Sequence, residues 1–186
     1  MSDLTSQELL QLYALGERNF SDLDLSGIDL AEAELPRIIL NRTNLTGAKL
    51  ICADLTGARL REANLTGANL KGSDLTSVCL TYANLTNADL RRVYLWNARL
   101  DYTNLTGINL TAANLTDAIV TNSYFERRYS ARMDHSILIG TNFEGLHISN
   151  IICPYLEDTK NSFFWYTVMP DGSTIKDPRY GGYLID

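Results

Sequence analysis

The chain has few of the residues on which most enzyme sites are built. Its 186 residues include only two histidines, His135 and His147, and three cysteines, Cys52, Cys79 and Cys153. Neither histidine lies in a recognisable nucleophile or metal motif, and the cysteines are odd in number and widely spaced. This pattern argues against a histidine-based catalytic site, a zinc site and a disulfide framework, and it favours free thiols.

Long apolar runs and a secretory leader are also missing. No stretch approaches the length of a membrane span, and the first residues are polar and acidic rather than basic and then apolar. No glycine-rich phosphate loop is recognisable either, because the glycines of the repeat, such as Gly47, Gly57, Gly67 and Gly107, recur singly at its corner positions. We therefore expect a cytoplasmic protein that associates with no membrane.

The dominant feature of the chain is a repeat of five residues. From Arg18 to Arg127 a large apolar residue stands at every fifth position, which makes 22 consecutive units, 19 of them centred on Leu. The residue two before the centre is Ala in 11 of these units. A helix buries residues three and four apart and a strand buries alternate residues, so neither could hide this row. The period instead favours a coil of short sides, in which the centre and the residue two before it both point to the axis.

The run of units from Ala53 to Gly72, which begins ADLTG and ends ANLKG, resembles the pentapeptide repeat family. The resemblance covers roughly residues 18–153. It implies an all-β solenoid, a right-handed quadrilateral parallel β-helix with four units per coil and about seven coils. With layers about 4.8 Å apart, such a rod is on the order of 30 Å long.

The register of the repeat breaks once, after Phe125. The next apolar centre is Met133, eight residues on, and the spacing of five then resumes. We expect about three extra residues at 128–130, bulged outward as a tolerated surface insertion. The alternative is a recognition loop, since irregular loops on rigid scaffolds often bind partners. The coil is expected to span residues 18–153.

Both open ends of such a coil expose unpaired backbone and rows of Leu, so both need a cover. Thr5, with Glu8 three residues later, is a capping-box signal followed by an apolar stripe. Residues 1–17 are therefore expected to form an N-terminal cap with a helix from Thr5 to Leu15.

The C-terminal residues 154–186 are rich in aromatic side chains, notably around Phe163 and Trp165. They carry enough apolar surface to seal the second end of the coil. The alternative is that this tail faces a partner or a second copy, and the sequence leaves open a monomer or a dimer formed through the C-terminal cap.

Function is expected on the outer surface of the coil, because a convex, close-packed rod offers no cleft for a substrate. We therefore expect no enzymatic activity, no cofactor and no metal. Reading every twentieth residue divides the outward positions among four faces, and three of them depart from the repeat template within residues 91–102. Outward Tyr, Trp and Arg are residue types enriched at binding hot spots. The candidate protein-binding residues are Tyr82, Arg91, Arg92, Tyr94, Trp96, Arg99 and Tyr102.

The leading interpretation is a non-enzymatic protein-binding or scaffolding module with an unidentified protein partner. An alternative for the aromatic residues is that they only stabilise stacked coils. The resemblance implies a second class of function, because some family members are DNA mimics that bind DNA gyrase. Such mimicry needs a rod coated in negative charge, whereas residues 18–127 hold 12 acidic and 11 basic residues, a net charge of −1. The overall charge of −6 also argues against nucleic-acid binding.

Overall fold

The computed structural model describes residues 4–125 and, in the C-terminal part, the segments 137–139, 147–148, 163–165, 167–169, 173–176 and 179–180. The chain begins with helix α1 (Ser6–Ala14) and continues into a stack of coils. The strands that follow are β1 (Tyr124–Phe125), β2 (Ile137–Ile139), β3 (His147–Ile148), β4 (Phe163–Trp165), β5 (Thr167–Val168), β6 (Thr174–Ile175) and β7 (Arg179–Tyr180).

Parallel backbone bridges between residues twenty positions apart hold the coils together. The series begins with Asn19 opposite Ile39 and runs in steps of five residues to Asn104 opposite Tyr124. Each step is one side of the coil, so four sides complete one turn, as the resemblance implied. The N–H of each central Leu from Leu25 to Leu105 donates to the next coil, as Leu45 does to the Asn64 carbonyl at 2.7 Å.

Each side ends in a tight turn. At the corner after Leu45, the N–H of Ala48 donates to the Leu45 carbonyl at 3.0 Å, and Gly47 between them has a φ of +64°. A positive φ at the third residue of a turn is the type II pattern. The equivalent residue has a positive φ at every corner from residue 22 to residue 122, and fifteen of these corner residues are not glycine. Because a corner follows every unit, the sides of the shaft remain single bridges and do not extend into long strands.

Two rows of side chains fill the interior of the shaft. The central leucines from Leu25 to Leu115 are at most 2% exposed, and the residues two before them are buried as well from Ile28 to Ala113. Where that second row carries a hydroxyl, it donates to the backbone, as Ser73 Oγ does to the Leu50 carbonyl at 2.6 Å. The expectation that both positions point to the axis is confirmed, and the core is one continuous column.

Helix α1 packs against the first coil. The hydroxyl of Thr5 accepts from the N–H of Glu8, and the Glu8 carboxylate accepts from the N–H of Thr5, so the predicted capping box is present. Leu9 is fully buried within the core cluster. The Tyr13 hydroxyl donates to the Pro36 carbonyl at 2.7 Å, which attaches the helix to the shaft.

The register changes beyond the shaft. Strands β1 and β3 pair in parallel with Tyr124 opposite His147, an offset of 23 residues instead of the twenty found along the shaft. Strand β2 pairs with β4 in parallel, β4 with β7 antiparallel, and β5 with β6 antiparallel. Met169, beside β5, packs against the core cluster. The insertion at 128–130 and the end of the coil at residue 153 lie outside the described residues and stay predictions.

The buried core predicts very different losses of stability for the same Leu→Ala substitution at a buried and at an exposed position. Leu65→Ala removes a side chain with no solvent exposure, so the free energy of unfolding is expected to fall by roughly 2–5 kcal/mol. Leu15→Ala, at a residue that is 79% exposed, is expected to change it by less than about 0.5 kcal/mol. Urea unfolding followed by circular dichroism measures both, and similar losses for the two variants would contradict the buried Leu row.

Candidate protein-binding surface

The outward positions of the shaft form four faces, which we number by their central leucines. Face 1 is centred on Leu25, face 2 on Leu30, face 3 on Leu35 and face 4 on Leu40, and each face continues every twenty residues. In every unit the residues immediately before and after the centre lie on the outside, and the next residue forms the corner. The seven predicted binding residues occupy faces 2, 3 and 4 and their corners.

Tyr94 and Trp96 flank the buried Leu95 on face 3. Their exposed fractions are 51% and 48%, although the backbone on either side is fixed by the ladder between coils. Within residues 4–125, neither ring stacks on another aromatic ring or lies beneath an arginine. The two rings therefore present apolar surface to solvent on a rigid support.

Tyr82 and Tyr102 occupy the corner between faces 4 and 1, one coil apart. Their ring centroids are 4.9 Å apart and the ring planes differ by 11°, which is a stacked arrangement. The guanidinium of Arg61 lies over the Tyr82 ring, 5.1 Å from its centroid. These two tyrosines, although about half exposed, already have partners within the chain.

The three predicted arginines differ in how firmly they are held. Arg91 forms an ion pair with Asp89, with Nη2 2.5 Å from Oδ2, and its guanidinium holds the pKa of the Asp89 carboxyl below its usual value. Arg99 Nε lies 3.2 Å from the nearly buried carboxylate of Asp101. Arg92 forms a corner with a φ of 58° and has no ion pair within the described shaft.

Asp101 connects two coils at this surface, a role that the sequence did not reveal. Asp101 is 6% exposed. Its carboxylate accepts from the Thr121 hydroxyl at 2.7 Å and also from Arg99. This carboxylate links Arg99 to Thr121 on the next coil. Ile119, 38% exposed, is bridged to Arg99 from above and was also missed. Its signal is visible in the repeat, because an Ile stands where most units have Asn or Asp.

The candidate residues thus divide into two groups. Tyr82 and Tyr102 stack on each other and Arg91 forms an ion pair, whereas Tyr94 and Trp96 have no ring stack or cation–π contact within residues 4–125. Arg99 lies on the next face after Trp96, beyond the intervening corner. The arrangement favours face 3 and its border with face 4 as the centre of a contact surface.

The described part of the chain offers no sign of metal chemistry or of a membrane span. No group of three or more His, Cys, Asp or Glu within it is arranged to hold a metal ion. None of its helices is long and apolar enough to cross a bilayer.

The repeat units match a known family along most of the shaft. The family model for pentapeptide repeats matches residues 24–61, 53–92 and 88–127, with eight copies of the repeat, and these stretches cover more than half of the chain. The chain belongs to the pentapeptide repeat family. Known structures of this family are right-handed quadrilateral β-helices, which agrees with the four-sided coil seen in this pentapeptide repeat protein.

Several solved structures of pentapeptide repeat proteins are similar to this chain. HetL from the cyanobacterium Nostoc sp. strain PCC 7120, which is involved in regulating heterocyst differentiation, is 24% identical over 92% of this chain and 99% of its own, with a TM-score of 0.38. A second protein from Nostoc PCC 7120 is 31% identical over 68% of this chain and 90% of its own, with a TM-score of 0.32. QnrB1, a plasmid-mediated fluoroquinolone resistance protein, is 18% identical over 70% and 75%, with a TM-score of 0.36. None of the curated proteins matches the chain.

The stacked tyrosines predict an energetic coupling. In a double-mutant cycle of Tyr82→Ala and Tyr102→Ala, the two losses of stability are expected to be non-additive by roughly 0.5–1.5 kcal/mol, because each ring packs on the other. The pair Tyr82→Ala and Tyr94→Ala, on different faces, serves as the control and is expected to be additive within about 0.5 kcal/mol. Urea unfolding provides the four free energies, and additivity for the stacked pair would show that the stack contributes no stability.

The ion pair of Arg91 with Asp89 is expected to contribute stability that depends on pH. Since the folded pKa of Asp89 is lowered by Arg91, the pair stabilises the fold above the unfolded pKa of about 3.9 and this contribution disappears as the pH falls below it. Asp89→Asn keeps the acceptor for the Arg91 N–H and removes the charge. The partly exposed pair is expected to contribute less than about 1 kcal/mol at pH 7.

This contribution is measured as the difference in unfolding free energy between wild type and Asp89→Asn across pH 7 to 2. The difference is expected to shrink below pH 4 and also in high salt, which screens partly exposed charges. A difference that stays constant over the whole pH range would contradict the role of the ion pair.

Proposed function

We propose that this pentapeptide repeat protein is a non-enzymatic binding module that recognises another protein through the outside of its coil. The centre of the contact surface is Tyr94 and Trp96 on face 3, with Arg99 on the adjoining face 4. We further propose that it acts in the cytoplasm, as a monomer or as a dimer formed through its C-terminal part.

The observation that supports the proposal is the exposure of two large aromatic rings that neither stack on another ring nor lie beneath an arginine within residues 4–125. Tyr94 and Trp96 are about half exposed, yet they stand on backbone that is hydrogen-bonded to the coils on both sides. The Tyr94 N–H donates to the Ser73 carbonyl on the preceding coil, and the N–H of the neighbouring Leu95 donates to the Asn114 carbonyl on the next coil. Rigid aromatic side chains lose little conformational entropy on binding, which is why Tyr and Trp dominate hot spots.

The competing interpretation, that exposed rings only stabilise stacked coils, applies to a different pair. Tyr82 and Tyr102 lie in the same column and stack on each other. Tyr94 has Asp74 below it and Asn114 above it, so its column offers no second ring to stack on. Coil stability alone therefore gives no reason for aromatic residues at the two positions on face 3.

DNA mimicry is less well supported as a function. Four of the five ion pairs on the shaft place an arginine on the surface, and Lys49 supplies the fifth cation. With 12 acidic and 11 basic residues, residues 18–127 are nearly neutral and lack the uniform negative coat that mimicry of DNA phosphates needs. The likeness to QnrB1 is too remote to carry an argument about function.

The proposal is tested by the combined substitutions Tyr94→Ala, Trp96→Ala and Arg99→Ala. Partner capture from native cell extract is expected to be lost. The melting temperature is expected to fall only slightly, because the three side chains are about half exposed and Asp101, which loses Arg99, keeps its hydrogen bond from Thr121. Thr66→Ala with Thr86→Ala, on the uniform face 1, is the control and is expected to capture the same partner as wild type. Capture by the triple variant at the wild-type level would overturn the proposal.

A further inference from the structure

The aromatic pair on face 3 stands at the end of a column of carboxylates. Glu34 is bridged to Asp54, Asp54 to Asp74 and Asp74 to Tyr94, so the four residues lie one above the other on successive coils. With coils about 4.8 Å apart, the column extends about 14 Å from the first residue to the last. A partner that contacts Tyr94 and Trp96 therefore meets this negative column as well.

The carboxylates of this column have no ion-pair partner within residues 4–125. On face 2, Asp29 is bridged to Lys49 and forms an ion pair with it at 3.2 Å. On face 3, Asp54 is bridged to Asp74, and like charges directly opposite each other are destabilising. Across residues 4–125, no lysine or arginine nitrogen lies within ion-pair distance of Asp54, Asp74 or Glu34.

The fold does not require a charge at these positions. Oδ1 of Asp54 accepts from the Thr56 N–H, and Oδ1 of Asp74 accepts from the Thr76 N–H, both at 2.9 Å. On face 1, Oδ1 of Asn64 accepts from the Thr66 N–H in the same way, two residues further along the chain. An asparagine would therefore hold the turn equally well without the repulsion between neighbouring coils.

We infer that the partner segment bound on face 3 is an extended peptide with several arginine or lysine side chains. Its cations pair with the carboxylates of Asp54 and Asp74, and one of them packs on the exposed face of Tyr94 or Trp96, an attractive cation–π contact. At about 3.3 Å per extended residue, four or five residues of peptide cover the column. This inference rests on the proposed function, because it uses the same aromatic pair.

The test uses three labelled peptides of about seven residues. In the first, arginine alternates with threonine, and glutamine or glutamate replaces arginine in the other two. Fluorescence anisotropy is expected to show binding of the arginine peptide alone, with an affinity that falls as salt is added. Equal binding of the glutamine peptide, preference for the glutamate peptide, or no binding of the arginine peptide up to about 1 mM would overturn the inference.

A matched pair of double variants locates the binding. Asp54→Asn with Asp74→Asn is expected to weaken binding of the arginine peptide about tenfold, whereas Asp24→Asn with Asp29→Asn is expected to weaken it less than about twofold. Both doubles change the net charge equally, and they affect different faces. Equal weakening by the two doubles would show general attraction to an acidic protein and would overturn the inference. Thermal melting confirms that each variant is folded, and the face 3 double is expected to melt no lower than wild type.

Failure of the inference can be distinguished from failure of the proposed function by comparing two variants. If the triple variant at Tyr94, Trp96 and Arg99 loses its partner while the face 3 aspartate double keeps it, the proposed function stands and the inference fails. If both variants keep the partner, both fail.

Discussion

Stacking of each coil on the next is the interaction on which the rest of this structure depends. It combines a backbone ladder at every fifth residue with two buried side-chain rows, and it repeats every twenty residues. A single coil has no neighbour to accept its hydrogen bonds or to cover its leucines, so each layer is stable only through the layers beside it. The same repeat aligns outward residues in straight columns, and both the Tyr82–Tyr102 stack and the row of Glu34, Asp54 and Asp74 arise from this alignment.

The period made the fold predictable. Leucines spaced five residues apart exclude both a helix and an ordinary strand. The capping box of Thr5 and Glu8, formed by bonds between residues close in sequence, marks the start of the helix. The twenty-residue coil came from resemblance to the family, because the spacing of five does not by itself set the number of sides. The fifteen non-glycine corners with positive φ were not foreseen, since glycine occupies only some of these positions and the others carry residues that usually avoid this region.

The candidate surface was only partly predictable, for a different reason. Columns give the order of residues along a face, but they do not say where a long side chain lies. Arg91 turns back to Asp89 within its own unit, and Arg61 lies over Tyr82 one coil away. Such choices depend on side-chain geometry and local charge rather than on the repeat. Sequence reasoning therefore grouped engaged and free residues together, and the structure separates them.

The corner residues represent a compromise between the stability of the fold and the variety of side chains on its surface. An L-residue in the left-handed region costs roughly 1–2 kcal/mol, against about 0.5–1 kcal/mol for the extra freedom that glycine loses on folding. A shaft with glycine at every corner would thus be somewhat more stable, but its edges would carry no side chains. By tolerating this penalty at positions such as Arg42, Tyr82 and Arg92, the chain turns its four ridges into places where individual side chains can be displayed. Diversity among such proteins can therefore accumulate along the ridges without any change in the path of the backbone.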